Sequence, residues 1–317
     1  MTEKTIVQKK AVPSAAYGLL LVAECAIWGF SNAYSKLGLE AITPMWALTL
    51  RYFLSFFLFA AFFGKRIKAK YRRQDLKPCV IVSLLTAAAF VLGFLALDNT
   101  SATNCGFLMS LAVVFAPLLS VPLLRTKFDP KQLIPVAVAT AGLYCFCGGS
   151  LSAFALGDLL AILCSGASAM MLIFSVKYLN GTGTDPLVLC IIQCAVCFFV
   201  CLPLALVMEP MPNLLQMAPI GWHMVLFLAV GSTFLAYYFQ NTALGHVSPT
   251  FGALVFCTEP IFTAITAYFM LNERLSPLGF AGAVLIIAGI VTASILDGKS
   301  KKPAVPPQNT EGKAAGG

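Results

Sequence analysis

The feature that most constrains this fold is the length of its apolar runs. From about Ala15 onward, stretches of about twenty apolar residues follow one another almost to the C-terminus, separated by short polar joints. A bilayer core is crossed by a helix of about 20 residues. A soluble core helix would carry a polar face at helical spacing, and long windows here carry none. Charged residues are only 11% of the chain, against about 25% in a soluble domain. That deficit extends along the whole length, so a single anchor does not account for it. The sequence is that of a polytopic, all-α membrane protein.

Ten spans can be placed, at roughly 16–37, 42–63, 79–97, 102–124, 132–149, 156–179, 185–207, 219–240, 247–271 and 278–296. Helices are expected because backbone in lipid must satisfy its own hydrogen bonds. The first run follows Lys4, Lys9 and Lys10 and continues past Trp28. It is too long for the apolar core of a secretory signal and is read as an uncleaved first span. Punctuation agrees with the cuts. Pro44 falls in the first turn of span two, Gly148-Gly149 ends span five, and Pro210, Pro212 and Pro219 separate spans seven and eight.

Lys and Arg set the orientation. The loop after span two holds Lys65, Arg66, Lys68, Lys70, Arg72, Arg73 and Lys77, and the loop after span four holds Arg125, Lys127 and Lys131. Both are expected on the cytoplasmic side, together with a tail at 1–15 and a disordered tail at 297–317. The net charge of +8 reflects this topology and gives no reason to expect nucleic acid.

Residues 96–142 and 243–289 align without a gap at an offset of 147, with about nine identities in about fifty positions. Phe115 lies over Phe262, Leu124 over Leu271, Pro130 over Pro277, and Ala141-Gly142 over Ala288-Gly289. Each copy belongs to a unit of five spans, 16–149 and 155–296. Five is odd, so the two units insert with opposite orientation. The basic loop around Lys127 has as its counterpart Asn272-Glu273-Arg274-Leu275-Ser276-Pro277, which carries no net charge. Such inverted repeats are a transporter architecture, with the solute site near the midplane.

The chain resembles the drug/metabolite transporter superfamily, EamA type. The resemblance rests on Trp28-Gly29 with Lys36, on Arg51, on Tyr238-Phe239-Gln240-Asn241-Thr242-Ala243-Leu244, and above all on Glu259-Pro260-Ile261-Phe262. Leu271-Asn272-Glu273-Arg274-Leu275, Gly282 and Gly289 complete it. It implies ten transmembrane helices in two five-helix inverted repeats and transport of small metabolites by alternating access. The first copy departs from the pattern, with Val113 in place of Pro260 and Thr126 in place of Glu273.

Charges inside spans mark the candidate site, because a charge in the bilayer needs a cavity or a partner. Glu24 shares a helical face with Trp28 and with Ser31 or Asn32. It is read as lining a cavity and as a candidate proton carrier, the alternative being a structural hydrogen bond. Arg51 is read as an anchor for a carboxylate-bearing solute, as the ion-pair partner of Glu24 or Glu259, or as snorkelling to water. Glu259, before Pro260, is the second proton-carrier candidate, at a place where the helix should distort. Gln193, Tyr237, Gln240 and Asn241, with Thr233 one turn earlier, suit a cavity for a small polar solute or interhelical hydrogen bonds. Cys190, Cys194, Cys197 and Cys201 form a stripe along span seven. One helix cannot easily wrap four thiolates around an ion, so packing is the expected role and no metal site is expected.

The expected function is that of a secondary transporter exporting or exchanging an amino acid or related metabolite across the plasma membrane, with both termini cytoplasmic. Its partners are a small-molecule solute and the lipid bilayer, without nucleic acid or cofactor, and a homodimer stays open. The rival classes are a membrane-embedded enzyme, for which the loops are poor in His and Asp, and a structural or receptor-like protein, which leaves the repeat unexplained.

Overall fold

The computed structural model describes residues 14–100, 102–125, 130–148, 155–272 and 274–300. The positions 1–13 and 301–317 of the expected tails, and Thr126, Lys127 and Glu273, lie outside the described residues. The regular structure of the described residues is all helical. The helices are α1 Ser14–Gly38, α2 Pro44–Lys70, α3 Leu76–Asn99, α4 Ala102–Met109, α5 Ala112–Leu124, α6 Leu133–Phe146 and α7 Leu156–Gly181. They continue as α8 Pro186–Met208, α9 Pro219–Phe227, α10 Ala236–Leu244, α11 Pro249–Phe256, α12 Glu259–Leu271 and α13 Pro277–Ser300. A π-helical stretch, Leu228–Leu235, joins α9 to α10 without a break.

All ten expected spans are present, with shifted ends. Proline opens α2, α8, α9, α11 and α13, where its missing N–H is no loss. The second span continues to Lys70 instead of ending near 63, so its last two turns carry exposed Lys65, Arg66, Lys68 and Lys70 beyond the apolar stretch. The last helix likewise continues through 297–300, which were expected in the tail. The fifth span is shorter than expected. With 14 residues, α6 rises only about 21 Å, and it alone of the ten falls outside the nine described segments long and apolar enough to cross a bilayer.

The repeat governs detail far below the level of span counting. Spans four and nine are each broken in two, at Ser110-Leu111 and at Cys257-Thr258, and these breaks are equivalent at the offset of 147. The distortion expected at Pro260 is therefore present in both halves, although Val113 stands in the proline's place. Both broken spans also end on a left-handed residue, Arg125 at φ 53° and its counterpart Asn272 at φ 57°. Asn tolerates that conformation and Arg rarely adopts it, so the position imposes the turn.

Packing reveals the symmetry axis. A Cβ added to Gly142 would lie 2.8 Å from the Gly282 carbonyl oxygen, and one added to Gly289 would lie 2.9 Å from the Pro135 carbonyl oxygen. Gly289 is the counterpart of Gly142, and Gly282 of Pro135. The α6–α13 contact is thus the same contact made twice, with backbones touching through small residues. α2 packs on α8, α1 on α11 and α12, and α7 on the equivalent α4 and α5. Polar clamps tie the α2–α8 pair at both ends. Asp75, after α2, accepts from Arg72 and from Thr184 at 3.1 Å, and Glu209, after α8, accepts from the Met45 and Trp46 amides at 3.0 and 3.2 Å.

Candidate functional site

Two faces of α1 carry the polar residues. One faces α10 and the π-helical stretch. Tyr17 stacks on His246 with ring centroids 3.9 Å apart, the Trp28 indole N–H donates to the Ser232 carbonyl at 2.9 Å, and Ser232 donates to Ser31 at 2.6 Å. The other face meets α12. A Cβ on Gly29 would fall 2.5 Å from Phe262 Cβ, and Asn32 donates to Glu259 at 2.8 Å and to Thr263 at 3.4 Å. Of the two alternatives for the face shared with Trp28, the structure places Ser31 there and not Asn32. Trp28 and Ser31 turn to α10 and its π-helical lead-in, while Asn32 turns to α12.

Arg51 forms no ion pair with Glu24 or Glu259. Its Nε donates to Thr233 Oγ1 at 2.7 Å and its Nη2 to the Ser232 carbonyl at 3.3 Å, and the guanidinium lies 5.3 and 5.5 Å from the Tyr52 and Phe90 ring centres. A carbonyl and two aromatic faces stabilise the cation without a counter-ion. Both acceptor carbonyls lie in the π-helical stretch: Ser232 accepts from Trp28 and from Arg51, and Ala229 accepts from Ser55 at 2.9 Å.

The remaining polar candidates apart from Gln240 are paired in a second set, fully buried. Tyr52 and Tyr237 share a hydrogen bond at 3.0 Å. Asn241 donates to Gln193 Oε1 at 2.7 Å and to Cys190 Sγ at 3.2 Å, and Gln193 donates to Thr86 at 3.1 Å. Cys190, Cys194, Cys197 and Cys201 are buried along α8 as free thiols. Cys197 donates to the Ser83 carbonyl at 3.7 Å.

Glu24 stands apart from both networks. It is 0% exposed, and neither carboxylate oxygen has a hydrogen-bond partner. Gln240 Nε2 and Asn241 Oδ1 are also buried and unpaired. Glu259, by contrast, is half-buried and held by Asn32. A cavity of about 200 Å³ lined by Leu39, Ile42, Thr43, Pro210 and Pro212 lies at one end of the bundle, away from these groups.

Sequence reasoning missed Tyr52, Thr86 and Ser232. Tyr52 adjoins Arg51, and Thr86 lies 147 residues before Thr233, so the repeat could have flagged both. Ser232 acts through its carbonyl, which no side-chain pattern reveals.

With a duplicated helical scaffold and buried polar residues between its halves, family comparison becomes informative. The EamA-like transporter family matches residues 16–147 and 155–295. The chain belongs to the EamA-like transporter family. Its two matched segments coincide with the two five-span repeats, and it is a multi-pass membrane transporter. An uncharacterized transporter of Archaeoglobus fulgidus is 26% identical over 284 residues, covering 89% of this chain and 86% of that protein. The uncharacterized transporter YyaM of Bacillus subtilis strain 168 is 24% identical over 241 residues, covering 73% of this chain and 77% of its own. A solved crystal structure with 16% identity superposes with a TM-score of 0.74 over 91% of this chain and 99% of its own, which establishes a shared fold.

Proposed function

We propose that this EamA-family protein is a secondary transporter that exports or exchanges a small metabolite, an amino acid or related compound, across the plasma membrane by alternating access. Glu24 carries the reading. An unpaired carboxyl at the centre of a bundle destabilises the fold unless a proton or a solute satisfies it. Glu24 lies ten residues into α1, about 15 Å along it, at the depth where a transporter site belongs. Cytoplasmic termini follow from the basic loops.

The packing is compatible with a rocking mechanism. α2 and α8, clamped at both ends, form one fixed pair across the two halves, and α6 with α13 forms a second. α1 against α12 closes one side, and α7 against α5 closes the other. Rocking exposes the midplane residues to each side in turn. Glu24 and Glu259 carry the coupling proton, and Arg51, held by the π-helical stretch, keeps the charge balance of the site.

Uptake into proteoliposomes with a panel of labelled metabolites, with and without a pH gradient, tests the proposal. Gradient-dependent flux that Glu259→Gln uncouples and Glu24→Gln abolishes is the expected result. Flux that ignores both the gradient and the two substitutions removes proton coupling, and absence of flux for every solute removes the transporter mechanism.

A further inference from the structure

Glu24 and Gln240 lie at the same depth on the facing helices α1 and α10. Three contacts define the antiparallel register: Tyr17 with His246, Ser31 with Ser232, and Gly38 with Met224. In each, the two residue numbers add to about 263, which places Glu24 opposite Phe239 and Gln240. Glu24 also lies seven residues from both Tyr17 and Ser31, on the α1 face that those contacts turn toward α10.

Here the chemistry is incomplete in a specific way. Gln240 Nε2 is a buried donor without an acceptor, and Glu24 offers two buried acceptors without a donor. They could satisfy each other, yet they stay out of hydrogen-bond reach. Asn241 Oδ1, one residue on, is a third unpaired acceptor, and its orientation is fixed because its amide nitrogen is committed to Gln193 and Cys190. Buried polar atoms without partners are rare and costly. A proton on Glu24 alone leaves the Gln240 donor and the Asn241 acceptor unmatched. The Trp28 ring, one turn along α1, packs against Tyr237 and Phe256 with centroids 6.4 and 6.1 Å away and walls the site with aromatic faces.

We infer that Glu24 and Gln240 form the recognition subsite for a solute that carries a protonated amine beside a hydrogen-bond acceptor. The ammonium takes the Glu24 carboxylate and the Asn241 carbonyl, with the Trp28 face as a further favourable surface for a cation. The neighbouring acceptor takes the Gln240 amide. The inference rests on the transporter reading above and narrows its solute class.

The test is counterflow in proteoliposomes with matched pairs that differ in the amine: L-phenylalanine against 3-phenylpropionate, and L-serine against glycerate, with glucose and uridine alongside. Expected is movement of the amine-bearing member of a pair, with its partner slower by about 100-fold or more. Glu24→Gln should remove that flux and Glu24→Asp should keep part of it. Gln240→Leu should reduce it, with Gln240→Asn restoring some. Melting temperatures close to that of the parent establish that these variants fold. Equal movement of the amine-free partner, flux confined to glucose or uridine, or full flux in a folded Glu24→Gln variant overturns the subsite and leaves the transporter reading standing. No flux of any probe by folded, reconstituted protein overturns both.

Discussion

Arg51 and Gln193 occupy equivalent places in the two repeats and make equivalent bonds. Pro44 and Pro186 open α2 and α8, and seven residues later each helix presents the donor that reaches the opposite half. Arg51 bonds Thr233 at 2.7 Å and Gln193 bonds Thr86 at 3.1 Å, and the two threonines are themselves repeat counterparts. The axis that relates α6 to α13 thus also runs between α2 and α8. Charge is placed on one side of it only. A charge-assisted hydrogen bond in such a place contributes about 1.5–3 kcal/mol. Arg51→Leu should therefore lower the melting temperature in detergent by several degrees, and Arg51→Gln, which copies the symmetric partner, should lower it less. Equal losses for both would mean that the aromatic packing of the guanidinium stem, and not its hydrogen bonds, stabilises this position.

The glycines divide into those whose hydrogen is required and those with room to spare. Gly142 and Gly282 bring two backbones together, with a Cβ on Gly282 only 2.4 Å from the Phe146 amide nitrogen. Backbone cannot step aside as a flexible side chain can. Gly282→Leu should destabilise by about 3 kcal/mol or more, read as loss of monodisperse protein on size exclusion. Gly106 and Gly166 have nothing within 4 Å of an added Cβ. Ala at either should be neutral or stabilise by about 0.5–1 kcal/mol, because a helix interior disfavours Gly. A thermal melt distinguishes the two classes.

The span count and the symmetry were legible from the sequence. Apolar runs impose helices in lipid, and the offset of 147 carries the matched breaks and the matched Arg125 and Asn272 caps. The Arg51–Gln193 equivalence stayed hidden because it needs an offset of 142, five residues off the register of the later spans, and an ungapped alignment passes over it. The π-helical stretch was invisible for another reason. Gly231-Ser232-Thr233 reads as ordinary helix, and only packing against Trp28 and Arg51 distinguishes the wider winding. Arg51 seemed to need a carboxylate because a side-chain inventory does not count carbonyl oxygens or ring faces as partners for a cation.

Inversion of the repeats makes a direct topological prediction. Lys127 and Arg274 are equivalent at the offset of 147 and should lie on opposite sides of the membrane. Single cysteines there, in a background with the half-buried Cys145 and Cys147 replaced by Ser, should react with a membrane-impermeant maleimide from opposite faces of intact cells. Labelling of both from one face would be incompatible with two five-span units of opposite orientation.

The bond from Asn32 to Glu259 closes α1 onto α12 where Gly29 lets the helices touch. On the equivalent side, α7 meets α4 and α5 without a tight glycine contact, since a Cβ on Gly166 meets nothing within 4 Å. Polar groups close that side too, where Asn104 donates to Asp158 at 3.1 Å and Lys177 to the Leu123 carbonyl at 3.3 Å, so what sets the α1–α12 side apart is that its polar bond sits at a backbone-to-backbone glycine contact. Asn32→Ala removes the donor, leaves Glu259 without its partner and should shift the resting population toward opening on that side. A cysteine at Thr263 reports the shift, because that hydroxyl also meets Asn32, at 3.4 Å. Its reaction with a hydrophilic thiol reagent should accelerate several-fold in the Asn32→Ala background. Gly29→Ala, which pushes on the Phe262 and Thr263 backbone, should act in the same direction. If both variants react at the parental rate, the contact is a static packing feature, and opening takes place along a different pair of helices.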